Sequence, residues 1–200
     1  MREDLLSWGD HVGVESRKSF KRKLDNCLFK KNMSGNVVID IGYRGYVPGV
    51  TPILPHAIGI DTDFPDYDGE HLSFEDNSVD AVYSSHCLER IRNSTHAIRE
   101  WRRVLKVGGF LIIAVPHRDL YQKANLLAVA RSADHQRHYT PSSLLHEIES
   151  ALRPNSFRLR ELHDDGEHYD YTIGPKRHTS GNYEIEVVVE KIEQPRCLSN

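Results

Sequence analysis

The 200-residue chain contains few cysteines: Cys27, Cys87 and Cys197, odd in number and widely separated. They offer no disulfide framework and fit a reducing compartment. No apolar run approaches the roughly 18 residues that a membrane helix requires. The opening Met1-Arg2-Glu3-Asp4 lacks the apolar core of a signal peptide. A cytoplasmic location without a membrane span is therefore expected. The zinc spacings Cys-x-x-Cys and His-Glu-x-x-His are missing. So is Gly-x-Gly-x-x-Gly, which disfavours an NAD-dependent oxidoreductase. Internal repeats and low-complexity segments are also lacking. No basic, aromatic-studded face marks a nucleic-acid partner. What remains is an ordinary globular composition, 38% hydrophobic and 28% charged, with enough chain for one substantial core.

The net charge of −3 is unevenly spread. Residues 17 to 31 hold seven Lys or Arg against one acid, Asp25, whereas residues 61 to 80 hold eight acids and no Lys or Arg. For the basic block a solvated helix face is expected, with contact to an anionic substrate as the alternative.

The most informative stretch runs from Asn36 to Asp61. Val37-Val38-Ile39 reads as a buried parallel strand. It ends in Asp40-Ile41-Gly42, and a second strand, Ala57-Ile58-Gly59-Ile60, ends on Asp61. Two adjacent parallel strands, one closed by Asp-x-Gly and the next by Asp about 20 residues later, describe a nucleoside pocket. Gly42 lets backbone approach a ligand. Asp61 can accept hydrogen bonds from both ribose hydroxyls. Between them, Pro48, Pro52 and Pro55 exclude a regular helix and predict a loop.

Elsewhere the pattern predicts a helix over Glu15–Lys31, a short third strand before Leu72, and a strand over Val79–Tyr83. A helix capped by Asn93 follows, over Ser94–Leu105, stopped by Gly108-Gly109. Phe110 to Val115 reads as a buried strand, Leu120–Ala130 as a helix, and Thr140-Pro141 as the start of a helix to Leu152. Phe157–Leu162 reads as a strand and His163–Gly181 as a polar loop. Tyr183–Ile192 reads as an antiparallel closing strand. This divides the chain into a basic N-terminal helical extension (1–35), a main domain (36–193) and a disordered tail (194–200).

The ordered set Val38-Ile39-Asp40-Ile41-Gly42, Asp61, Asp68-Gly69, Val79-Asp80-Ala81-Val82-Tyr83-Ser84-Ser85-His86 and Arg103-Val104-Leu105-Lys106-Val107-Gly108-Gly109-Phe110 resembles class I S-adenosylmethionine-dependent methyltransferases. Among them it is most similar to short enzymes of sugar and polysaccharide biosynthesis. The resemblance implies an α/β, Rossmann-like doubly wound sheet, mostly parallel, with an antiparallel closing strand. It implies S-adenosyl-L-methionine as cofactor, held by Asp40, Gly42, Asp61, Asp68, Gly69 and Ser84, with Leu72 and Phe74 as the adenine wall. It implies O-methylation of a small-molecule acceptor, a nucleotide-sugar or saccharide. Arg44 and Tyr46 replace two of the family's loop glycines. That departure motivates the alternative of a non-catalytic cofactor- or partner-binding module on the same fold.

Methyl transfer to a hydroxyl needs a base, and histidine suits that role. Of twelve histidines, His86, His117, His135 and His138 fall near the carboxyl edge of the sheet and are the candidates. His135 and His138, spaced i, i+3, lack a third ligand at metal spacing, so no metal site is expected.

Overall fold

The parallel half of the sheet is built around β1 (Val38–Ile41), which is buried at all its positions. A strand covered on both faces carries a continuous apolar run rather than an alternating one. In this computed structural model, which describes residues 2–62, 64–65, 67, 70–121, 135–173 and 181–193, β1 pairs in parallel with β2 (Ala57–Ile60) on one side and β3 (Val79–Ser85) on the other. Beyond β3 lies parallel β4 (Leu105–Pro116). β5 (Phe157–Asp165) and β6 (Glu184–Lys191) complete the sheet as antiparallel strands, in the order β2-β1-β3-β4-β6-β5.

Helices cover both faces. On one, Ile98 and Trp101 of α4 (Ser94–Val104) join Leu144 and Ile148 of α6 (Pro141–Ala151) in a core with Ile39, Val82 and Ile113. On the other, Phe20 of α2 (Val14–Asp25) and Leu28 and Phe29 of α3 (Leu28–Asn32) pack with Val38, Tyr83 and Val188. Two further short helices among the described residues are α1 (Arg2–Gly9) and α5 (Arg118–Tyr121). The expected caps are present. Asn93 accepts from the His96 amide at the start of α4. Thr140 and Ser143 form a reciprocal capping box at α6, where Pro141 occupies the first turn. Asp80 ties the entrance of β1 to β3 and β4 by accepting from Val37 N at 2.9 Å and Lys106 Nζ at 2.6 Å.

Several expectations are corrected. The helix expected over Glu15–Lys31 is broken in two, because Cys27 takes a left-handed backbone (φ 63°) that an α-helix cannot continue through. No strand forms among the described residues between Ile60 and Val79. α4 stops at Val104 without help from Gly108-Gly109, since Leu105 already pairs with Val79. The two glycines lie instead in the irregular stretch that realigns Phe110 with Ala81, where Gly108 has φ 82°. His163 belongs to β5 rather than to a loop. Most of the helix expected over 120–130 lies outside the described residues.

The basic block is not simply a solvated face. Lys21 is exposed, but Lys23 is completely buried and Arg22 is largely covered. Lys23 Nζ reaches Ser19 Oγ, Tyr83 Oη and Glu184 Oε1 at 2.8–3.0 Å, and Glu186 Oε2 at 3.1 Å. Arg22 spans Asp165, Glu184 and Glu186 at 2.7–3.1 Å. A buried charge must be paired, and here two cations from α2 meet three acids from β5 and β6.

Candidate functional site

Three strand ends meet at the carboxyl edge of the parallel sheet, where open α/β sheets bind ligands. β1 delivers Asp40 and Gly42, β2 delivers Asp61, and β3 delivers Ser85, His86 and Cys87. All of them line one cavity of about 890 Å³. That size lies in the range of small-molecule sites.

Gly42 is required for geometric reasons. Its φ is 80°, and a Cβ there would stand 2.6 Å from the Cys87 Cβ and Sγ atoms. Its amide donates to Ile60 O at 2.8 Å, locking the ends of β1 and β2 together. Asp61 is 8% exposed. Its Oδ2 accepts from the Arg44 amide and its Oδ1 from the Thr62 amide, each at 2.8 Å. A carboxylate offers about four acceptor positions, so among the described residues two are left for a ligand. Asp40 accepts from the Ile53 amide at 2.6 Å, and burial pushes its carboxyl up to about 7. The proline-rich segment between Gly42 and His56 forms turns without a helix. It is pinned by Asp40, by Trp8 Nε1 donating to Pro52 O, and by the Thr51 amide donating to His11 O.

Ser84 is not part of the cavity wall. It is fully buried in the pairing of β3 with β1 and β4, and the neighbouring Ser85 lines the cavity instead. A one-residue step along a strand turns the side chain to the other face. The Ser85 hydroxyl is buried without a hydrogen-bond partner among the described residues. Leu72 is also corrected: at 1% exposure it belongs to the core, while Tyr67 lines the cavity. Phe74 stacks on Phe64 at 6.5 Å. Asp68 and Gly69 lie outside the described residues.

Of the four histidines, only His86 lines the cavity. It leaves β3 with a left-handed backbone (φ 52°), and its amide donates to Ala114 O at 2.8 Å. Its Nε2 stands 3.7 Å from Glu184 Oε2, and its ring meets Tyr183 edge-on at 6.0 Å. Burial alone would raise the Glu184 pKa. Lys23 and His86 override that effect and hold it well below the usual carboxylate range. A small cleft beside His86 is walled by Glu15, Lys18, Asn182, Tyr183 and Glu184. Tyr183 Oη donates to Glu15 Oε2 at 2.5 Å and accepts from Lys18 Nζ at 2.7 Å.

The remaining histidines stand apart from this wall. His117 accepts from the Asp119 amide through Nδ1 at 3.1 Å and lies 3.6 Å from Asp164. His135 is buried against Glu89 at 3.7 Å and stacks on Tyr121 at 5.3 Å. Burial, with Arg90, His138 and His86 nearby, lowers its pKa to about 4. The His138 ring lies 6.1 Å from that of His135.

Residues 55–113 match the family model described as a methyltransferase domain. The ubiquinone/menaquinone biosynthesis C-methyltransferase UbiE of Hahella chejuensis is 36% identical over 81 residues, covering 40% of this chain and 32% of that protein. The protein of the same name from Cellvibrio japonicus is 27% identical over 135 residues, covering 60% and 54%. The chain thus spans from about a third to about half the length of these curated relatives. An S-adenosylmethionine-dependent methyltransferase from Aquifex aeolicus superposes with a TM-score of 0.54 at 12% identity, covering 96% of this chain and 99% of that one. A chain from the complex of the Haloferax volcanii Trm112 methyltransferase activator with a methyltransferase gives 0.59 at 16%, covering 95% and 98%. The sheet is therefore that of the S-adenosylmethionine-dependent methyltransferase fold, and the segment from β2 into β4 is similar in sequence to a methyltransferase domain.

Proposed function

We propose that the chain is an S-adenosylmethionine-dependent methyltransferase acting on a small polar acceptor. One observation carries this reading: Asp40, Gly42, Asp61 and His86 all line the one strand-end cavity. The residues present suit the cofactor. Among the described residues Asp61 keeps acceptor positions for two ribose hydroxyls and the Ser85 hydroxyl lacks a partner, while Gly42 opens the backbone. Bound there, the cofactor supplies an electrophilic methyl group on a sulfonium.

The chain's own residues do the rest. Asp61 and the loop after Gly42 orient the nucleoside. His86 is the one of the four candidate histidines that lines the cavity, and it takes the proton of the acceptor. Glu184 faces one ring nitrogen, leaving the other for that proton. Typical base catalysis contributes about 10²–10⁴-fold in rate.

The wall beside His86 consists of Glu15, Lys18, Asn182, Tyr183 and Glu184, which suits a hydrogen-bonding acceptor such as a saccharide or nucleotide-sugar hydroxyl. A carbon acceptor is the second reading, favoured by the C-methyltransferase name of the curated relatives. The test is calorimetric titration with S-adenosylhomocysteine, followed by transfer of labelled methyl to a panel of hydroxyl, carbon and amine acceptors. Micromolar binding and turnover on a hydroxyl class support the proposal. Turnover confined to carbon acceptors selects the second reading. Binding without turnover on any class returns the chain to a non-catalytic module.

A further inference from the structure

The cavity has a second wall that the cofactor residues do not explain. Gly13, Val14, Glu15 and Ser16, the cap and first turn of α2, all line it. An α-helix leaves its first four amides without intrahelical acceptors. Here the first intrahelical bond is Arg17 N to Gly13 O. The cap residue is a glycine that supplies no side-chain acceptor, and no hydrogen bond from these four amides occurs among the described residues. α2 is 12 residues long, so its aligned peptide dipoles place partial positive charge at this end. Open space surrounds Gly13, whose Cβ position would find only Tyr43 O, at 3.8 Å.

An independent observation points to a ligand in the same cavity. Ser85 lines the cavity at 7% exposure, and its hydroxyl has no partner among the described residues. Arg44, Arg90 and Arg92 line the cavity as well. The opposing charge on the first turn, Glu15, is taken up by Tyr183 at 2.5 Å and Lys18 at 3.0 Å.

We propose that the first turn of α2, with the Ser85 hydroxyl, is an anion-binding site that takes a carboxylate or phosphate of the small molecule in the cavity. The site deepens the methyltransferase reading and rests on it. Where the anion belongs to the acceptor, the acceptor is a phosphate ester or a carboxylic acid. The other source of the same chemistry is the amino-acid carboxylate of the cofactor.

The test follows the amide resonances of Gly13, Val14, Glu15 and Ser16 in the ¹⁵N-labelled full chain during titration with inorganic phosphate. It is run alone, with saturating S-adenosylhomocysteine, and with saturating 5′-methylthioadenosine, which lacks the carboxylate. The four amides shift with phosphate. Gly13→Asp, which places its own carboxylate on the same donors, weakens the response at least tenfold while raising the melting temperature, because aspartate is a better cap than glycine. Gly13→Ser gives a smaller loss in the same direction. Phosphate bound together with S-adenosylhomocysteine assigns the anion to the acceptor. Displacement by S-adenosylhomocysteine but not by methylthioadenosine assigns it to the cofactor. Amides that stay silent in all three titrations, or a phosphate response unchanged in both variants, overturn the proposal. Failure of either nucleoside to shift Gly42 and Asp61 would instead refute the cofactor reading, leaving the phosphate result to be judged separately.

Discussion

Lys23→Met is the most demanding test of how α2 is held to the sheet. The side chain is isosteric enough to fill the space but removes the charge. In the native protein Lys23 Nζ satisfies Glu184 and Glu186 at 3.0 and 3.1 Å, with no exposure to solvent. Arg22 alone would then face Asp165, Glu184 and Glu186. Removing one partner of a buried ion pair costs about 3–5 kcal/mol, because the remaining charge is stranded. Part of that is recovered here, since Arg22 still bridges both glutamates, so the lower end, about 3 kcal/mol, is expected. With a urea slope of roughly 2–3 kcal/mol/M, the midpoint should fall by about 1–1.5 M. The pH window follows from the signs. Glu184 has a depressed folded pKa, so its contribution is present above the ordinary 4.5 and is lost as pH falls through the folded value. Lys23 is raised well above 10.5, so its contribution is complete below 10.5 and is lost as pH rises through the folded value. The variant should therefore differ most from the native protein between about pH 5 and pH 10. A midpoint shift below 0.3 M at pH 7 would refute the stranded-charge reasoning. So would a shift of equal size at pH 3.

Three further outcomes follow from the site. Asp61→Ala should weaken S-adenosylhomocysteine binding at least tenfold by calorimetry, since charge-assisted hydrogen bonds contribute about 1.5–3 kcal/mol each; unchanged affinity would remove Asp61 from the cofactor site. His86→Asn, chosen because asparagine tolerates the left-handed backbone at this position, should lower turnover about 10²–10⁴-fold and leave cofactor affinity within about threefold; near-full turnover on the true acceptor would exclude His86 as base. Asp40→Asn should stabilise the ligand-free protein at pH 9 and much less at pH 4, because burial raises the folded pKa to about 7 from 3.8 and the charged form is penalised progressively above 3.8; a melting-temperature difference that does not grow with pH would contradict this.

The parts of the fold visible in the sequence are those where local chemistry and tertiary environment agree. β1 is buried on both faces and reads as continuous Val-Ile-Asp-Ile. Three prolines keep the segment after Gly42 from becoming a helix. Thr140-Pro141 and Asn93 mark helix starts through hydrogen bonds made within a few residues. The place of Asp40, Gly42 and Asp61 in the cavity lining was legible for the same reason: each lies near a strand end whose position a short run defines. Ser84 was misplaced because the exit of β3 fixes the site only to within one residue, and one residue turns the side chain to the other face.

The Arg22–Lys23 cluster failed to show for a different reason. Its cations sit inside a basic run that, taken locally, describes a solvated face. Its acids, Glu184 and Glu186, lie about 160 residues downstream. One signal did exist. Glu184-Ile185-Glu186 alternates at the start of a strand that then runs Val187-Val188-Val189, and it is buried between β4 and β5. Carboxylates at alternate positions of an interior strand need buried cations on the face they share. α2 supplies them, and the same helix presents its first turn to the cavity. The pairing that anchors α2 to β6 therefore also fixes where Gly13–Ser16 and Glu15 stand relative to His86, so the site's second wall depends on a salt-bridge cluster that lies outside it.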